Sequence, residues 1–327
     1  MKSSTMSIFE RDRGMVARGK PGWPRMWVCA IWLCLAWGCA PDPSGVGDQS
    51  TPDIPPNGYT RVVSLAPSLT ETLFAIGAGD RVIGVTRFCA WPAEATRRPQ
   101  VGGFLDTNYE AIVALKPDLV VALPSHGDHV DRLKALNLRC VIVSQTTLKD
   151  ILDSIPRLGA LTDRTESAEQ LARTLQQQLE HIRELVRDTS PPRVLLSSGR
   201  NPADNSLSEV YIVGRKSFLN DLLEIAGGEN AYVDPSVEYP MLSAEGIIRL
   251  DPEVIIEFVT EKDPVRYPDS MYLEPWHRLG VLTAAQHNRI YLIRGPHHTI
   301  PGPSVWQTAR EIARLLHPDR FKDGGEP

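Results

Sequence analysis

The period of the apolar positions changes several times along this chain, and each change marks an element. Short β-branched runs at Arg61–Leu65, Arg81–Val85, Leu119–Leu123 and Cys140–Val143 read as buried strands. Between them, Ser68–Ile76, Tyr109–Leu115 and Val130–Leu136 carry helical spacing. Ser68-x-x-Glu71 has the form of a capping box, Gly77 and Gly79 supply a stop, and Pro117 ends the second helix. Strands alternating with helices at this spacing predict a parallel α/β sheet.

The rhythm breaks over residues 163–188. Ala168, Leu171, Ala172, Leu175, Leu179, Ile182, Leu185 and Val186 recur at spacings of three and four, one apolar face of a single helix. Asp163 and Glu166 form a second capping-box pattern, and Pro191-Pro192 bar continuation. At 1.5 Å per residue such a helix is about 35 Å long, the width of a small domain, which predicts a bridge between two lobes. Alternation then resumes, with strands at Arg193–Leu196, Val254–Phe258 and Arg289–Ile293 and helices at Ser217–Ala226 and Ser304–Leu316.

The two halves repeat each other. Leu69–Asp80 lies beside Leu219–Asn230, and Asn108–Ala122 matches Ser243–Glu257, each a short helix, an x-Pro-acid turn and a strand. The predicted fold is therefore α/β: two Rossmann-like lobes with parallel central sheets, joined by one long helix, with a cleft between them. The expected boundaries are 59–162 for the first lobe, 163–190 for the bridging helix and 191–321 for the second lobe.

The N-terminus adds a destination. Arg11, Arg13, Arg18, Lys20 and Arg25 precede the uncharged run Met26–Trp37. A membrane-spanning helix needs about 20 apolar residues; this shorter run reads as the core of a secretory signal, starting at Met1 or Met15. Leu35-Ala-Trp-Gly-Cys39 looks like a lipobox, which makes residues 1–38 a lipoprotein signal and Cys39 the lipidation site. An ordinary cleaved signal with an incidental cysteine is the other reading. Residues 39–58, rich in Pro, Gly, Ser and Asp, read as a flexible tether. An exported compartment permits a Cys89–Cys140 disulfide, but spacing alone does not establish one, and two separate buried thiols are the commoner outcome for a pair this far apart.

A formal net charge of -5 gives no reason to expect nucleic acid as partner. The chain holds no GxSxG elbow, Walker loop, strand-linked GxGxxG or HExxH, so no catalytic role and no cofactor is expected.

Arg61-Val-Val-Ser-Leu-Ala-Pro-Ser-Leu-Thr-Glu-Thr-Leu-Phe-Ala-Ile-Gly77, Val101-Gly-Gly103, Glu110–Val121 and Gly227-Gly-Glu-Asn230 follow one another in an order and spacing that resemble a known family. It is the helical-backbone class of periplasmic substrate-binding proteins that serve ABC importers, and within it the vitamin B12-binding proteins. The resemblance covers residues 60–318. It implies capture of a metal chelate outside the cytoplasm, cobalamin or another corrinoid first, with iron-siderophore or haem as alternatives. It also implies docking on a permease dimer, and the lipobox at Cys39 adds a membrane anchor.

The resemblance gives site residues. Glu110 and Glu245 hold the two places where the family docks on permease arginines. A first-turn acid is also favoured by the helix dipole alone, by about 0.3–1 kcal/mol; Glu71 is expected to do only that. Phe88, Phe104 and Tyr239 stand where vitamin B12 binders place aromatic rings, and Trp91 shares the Phe88 loop. Pro301-Gly-Pro303 matches a family loop, with Ser304 where an arginine is usual. His126 and His129, and His297-His298, follow strand ends, which makes them candidates for ligand contact. Polar contacts to a chelate, direct metal ligation and simple solvation all remain open for them, as does a receptor for a bare divalent ion. A bridging helix packed on both lobes predicts only modest closure.

Overall fold

The computed structural model describes residues 53–260 and 267–321. Cys39, the signal segment and the start of the tether lie outside the described residues. No helix among the described residues is long and apolar enough to cross a membrane.

In lobe 1, strands β1 (Val62–Ser64), β2 (Val82–Val85), β3 (Leu119–Ala122) and β4 (Cys140–Ile142) alternate with α1 (Pro67–Ala75), α2 (Tyr109–Ala114) and α3 (Gly127–Ala135). The strands lie parallel in the order β2-β1-β3-β4. Every residue of β3 is buried, as a strand covered by helices on both faces requires. The proposed Ser68/Glu71 box is not formed. Helix α1 starts earlier, at Pro67, so Ser68 and Glu71 both lie inside it and are buried.

Two helices follow. The periodicity predicted the second, α5 (Thr165–Val186), whose 22 residues span about 33 Å. It did not reveal α4 (Leu148–Leu161), which carries Pro156 in its interior. Thr147 and Asp150 cap α4 reciprocally, at 3.1 and 3.0 Å. Asp163 is not the cap expected for α5: with φ +49° it forms the left-handed turn between the two helices, and α5 starts without a side-chain cap.

Lobe 2 contains β5 (Arg193–Gly199), β6 (Val210–Ile212), α6 (Phe218–Ile225), β7 (Glu229–Asn230), β8 (Met241–Leu242), α7 (Ala244–Leu250), β9 (Val254–Val259), α8 (Asp269–Arg278), α9 (Thr283–Gln286), β10 (Ile290–Arg294) and α10 (Val305–Leu316). Its sheet runs β10-β9-β5-β6-β8, with β7 also beside β5. It is mixed rather than wholly parallel, because β6 pairs antiparallel with β5 and with β8. The cause is an excursion between β5 and α6, which turns back through the polar Asn201–Asn205 segment. Without it, the parallel order β7-β5-β9-β10 reproduces β2-β1-β3-β4 of lobe 1.

The repeat extends to single hydrogen bonds. Arg61 Nε donates to Lys116 O at 3.0 Å and its Nη2 to Leu115 O; Arg193 Nη1 and Nη2 donate to Asp251 O and Leu250 O at 3.2 and 2.7 Å. Each arginine's backbone N–H donates to the acid after the matched proline, Asp118 at 2.9 Å and Glu253 at 2.8 Å. A continuous core joins the lobes. It runs from Leu69 and Leu73 through Ile155 and Leu158 of α4 and Leu175 and Leu179 of α5 to Leu222 and Ile312 in lobe 2. Cys89 and Cys140 are separate free thiols, Cys89 lying 3.2 Å from both Thr70 Oγ1 and Thr86 Oγ1.

Candidate ligand-capture and docking surface

Two connections are equivalent under the repeat: the segment from β2 to α2 and the segment from β7 to α7. The first holds Phe88, Trp91 and Phe104 and the second holds Tyr239. Phe104 and Tyr239 each stand six residues before their lobe's glutamate, Glu110 or Glu245. Both units therefore present an aromatic ring and then an acid, in the same order and spacing.

In lobe 1 the loop doubles back on itself. Gly102 has φ +96°, and a Cβ there would lie 2.3 Å from Asp106 O, so this turn requires glycine. An antiparallel bridge to Thr107 closes the loop and leaves Phe104 and Leu105 exposed at its tip, 43% and 87%. Phe88, 57% exposed, lies so near Gly103 that a Cβ would stand 2.9 Å from its ring. Arg87 sits over the Phe88 ring at 5.6 Å and pairs with Asp106, which neutralises it locally. In lobe 2 the Tyr239 hydroxyl and Ser217 Oγ are 2.8 Å apart, and burial raises the phenol's pKa. Gly214 permits this approach: its N–H donates to Glu238 O at 2.8 Å, and a Cβ would meet Val237 O at 2.1 Å.

Of the other candidates, His126 and His129 adjoin Phe104, while His298 and Trp91 border separate hollows. His126 is buried behind Phe104, the two rings edge to face with centroids 4.9 Å apart, and its Nδ1 accepts from the Leu123 amide at 3.3 Å. Burial lowers its pKa, so it is the neutral imidazole that the site favours. His129 hydrogen-bonds the Tyr109 hydroxyl, 6.4 Å from His126 between ring centroids. The His297 and His298 rings are tilted by 39° with centroids 4.0 Å apart, and His298 Nδ1 meets Thr308 Oγ1 at 2.9 Å. Burial, with a smaller contribution from His297, lowers the His298 pKa to about 4. His298 faces a hollow of 880 Å³ that it shares with His181 of α5 and Trp306 and Arg310 of α10. Trp91 borders another, of 580 Å³, with Phe74, Glu94 and Arg98. Among the described residues no three His, Cys, Asp or Glu side chains are placed to hold a metal ion.

Glu110 and Glu245 are both exposed in the first turn of their helices, which are capped alike. Asn108 Oδ1 accepts from Ala111 N at 2.9 Å and Ser243 Oγ from Gly246 N at 3.5 Å. The Ser243 hydroxyl also donates to Glu245 at 2.7 Å, which lowers that carboxyl's pKa. Sequence reasoning missed the fastenings between the lobes. Phe218 N donates to Thr146 O at 2.9 Å, Leu148 N to Asp221 Oδ2 at 2.8 Å, and Ser304 N to Glu71 Oε1 at 2.9 Å. Their partners lie far apart along the chain, and no local pattern signals them.

A sequence model of the family described as periplasmic binding protein matches residues 62–296. The chain belongs to that family. As a periplasmic binding protein it is a solute-binding component that works with a permease and an ATPase. An uncharacterized ABC transporter substrate-binding lipoprotein of Bacillus subtilis strain 168, YvrC, is 27% identical over 271 residues, 80% of this chain and 82% of that protein. The vitamin B12-binding protein of Salmonella typhimurium is 33% identical over 198 residues, 60% of this chain and 71% of its own. The crystal structure of the periplasmic vitamin B12-binding protein BtuF of Vibrio cholerae superposes with a TM-score of 0.68 at 23% identity, covering 81% of this chain and 99% of that one. That likeness establishes the two-lobed fold.

Proposed function

We propose that this periplasmic binding protein captures a corrinoid such as cobalamin between Phe88 and Phe104 of lobe 1 and Tyr239 of lobe 2. It then delivers the chelate to the permease dimer of an ABC importer through Glu110 and Glu245. The observation that carries this reading is the matched unit: in each lobe an exposed aromatic six residues before an exposed glutamate. Exposed aromatic rings suit a large, flat, partly apolar chelate, which gains most from aromatic walls and a few orienting polar groups. Two equivalent acids suit a partner of two-fold symmetry, where charge pairs steer encounter and set register. The name of the Salmonella relative supports the ligand class, and that of the Bacillus relative supports a lipid anchor at Cys39. The core shared through α4 and α5 favours a largely preformed cleft and a small closure.

The test is an absorbance titration of the purified chain with cyanocobalamin, haemin and a ferric siderophore in parallel. Saturable one-to-one binding of cyanocobalamin supports the reading. Binding of haemin or the siderophore alone moves the cargo to iron chelates. Tight Zn²⁺ binding with none of the three indicates a divalent-metal receptor.

A further inference from the structure

Glu71 sits in the middle of α1, only 5% exposed, and its hydrogen-bond partner lies in the other lobe. Its Oε1 accepts the backbone N–H of Ser304, the N-cap residue just before α10. Ser304 makes no side-chain capping bond of its own. The first amides of a helix lack intrahelical partners and need an acceptor from outside the helix. Glu71 supplies that acceptor from across the lobe boundary.

The loop before α10 is shaped to receive it. Gly302 crosses the carboxyl so closely that a Cβ would lie 2.5 Å from Oε2 and 2.8 Å from the carboxyl carbon. Pro301 and Pro303 flank that glycine, and Val305 N closes the turn on Gly302 O at 3.2 Å. Helix α10 then packs into the shared core beside α5 and α6. A bond that fixes the start of α10 therefore fixes lobe 2 against α1 of lobe 1. The Asp221 and Thr146 bonds fasten the lobes at a second place, the start of α4 against the start of α6.

We infer that Glu71 is a positioning residue: an interlobe latch that caps α10 across the boundary and so sets the separation of the two capture faces. Burial raises the Glu71 pKa, so an uncharged amide of the same shape retains the acceptor that the latch needs. The latch operates whichever chelate the cleft takes.

The experiment uses the full chain, with spin labels on unnatural residues at Lys134 in lobe 1 and Val281 in lobe 2, and hydrogen exchange over residues 300–309. Glu71→Ala is expected to broaden the interlobe distance distribution and to speed exchange at the start of α10 by about 10-fold or more. Glu71→Gln should match the wild type in both readouts. Gly302→Ala, which forces a methyl against the carboxyl, should loosen the lobes from the opposite side. Adding Glu71→Ala to Gly302→Ala should then cause no further loosening. Unchanged distances and exchange in Glu71→Ala overturn the latch, as does a Gln variant as loose as the Ala variant. If Glu71→Ala fails to fold, an unchanged distance distribution in Gly302→Ala overturns it.

Discussion

Arg61 in lobe 1 and Arg193 in lobe 2 tie the same loop carbonyls to the same strand start, yet other matched positions have diverged completely. The repeat pairs Ala122, buried at the end of β3, with Glu257 in β9. Glu257 accepts from the Trp276 indole and pairs with Arg200 at 3.0 Å, both partners 1% exposed. Arg200 in turn donates to the Met271 and Tyr272 carbonyls of α8 at 3.0 and 2.8 Å. Lobe 1 packs the corresponding place with a methyl group. The loops that carry the aromatic rings differ as well: a glycine-hinged tip carries Phe104, while Tyr239 is braced by Ser217. What stays constant is the frame that presents Glu110 and Glu245. Under the proposed function, a two-fold partner would meet equal surfaces and an asymmetric ligand unequal ones.

The largest effect should come from breaking the equal part. Glu110→Lys with Glu245→Lys is expected to abolish uptake in vesicles carrying the cognate permease while leaving cyanocobalamin affinity within about two-fold. Either reversal alone should cost the same partial loss, and markedly unequal losses would refute the symmetry.

Breaking the unequal part affects stability instead. Glu257→Ala places in lobe 2 the residue that lobe 1 already has, yet it strands the buried Arg200 charge. Urea unfolding should show a loss of about 3–5 kcal/mol. Arg61→Ala and Arg193→Ala remove matched, exposed clamps and should each cost about 1–2 kcal/mol by the same method. Their costs should agree within about 0.5 kcal/mol if the repeat is energetic as well as geometric.

The smallest effect is a pH dependence. The Glu71 carboxyl has a folded pKa raised by burial above its unfolded value. Its contribution is therefore fully present below the unfolded carboxyl pKa and is lost as pH rises through the raised one. Asp221 at the other fastening shifts the same way, through burial. Thermal unfolding across that window should fall less steeply with rising pH in Glu71→Gln than in the wild type.

Much of the frame is visible in the sequence, because buried strands and a long amphipathic face leave strong periodic signals. The long helix α5 and the repeat are read from those signals; Glu110 and Glu245 fall at matched positions of the repeat, and only the family resemblance gives them a docking role. Helix α4 escaped notice because Pro156 interrupts a face that Ile151, Ile155 and Leu158 otherwise define. Strands β6 and β8, of three and two residues, are too short for any period to register. The Phe104–Tyr239 match was hidden because Gly102-Gly103 and Val237-Glu238 share no residue types ahead of those rings. Glu71 was misread because its partner is 233 residues away; a local cap pattern was present, and the buried interlobe contact prevailed.

The most direct test of capture between the rings is calorimetric titration of cyanocobalamin into the wild type and into the Phe104→Ala, Tyr239→Ala double variant. One-to-one binding by the wild type, weakened by about 100-fold in the double variant, is the predicted result. Wild-type heats that show no binding, or equal affinity in both proteins, would contradict a corrinoid held between the matched aromatic rings.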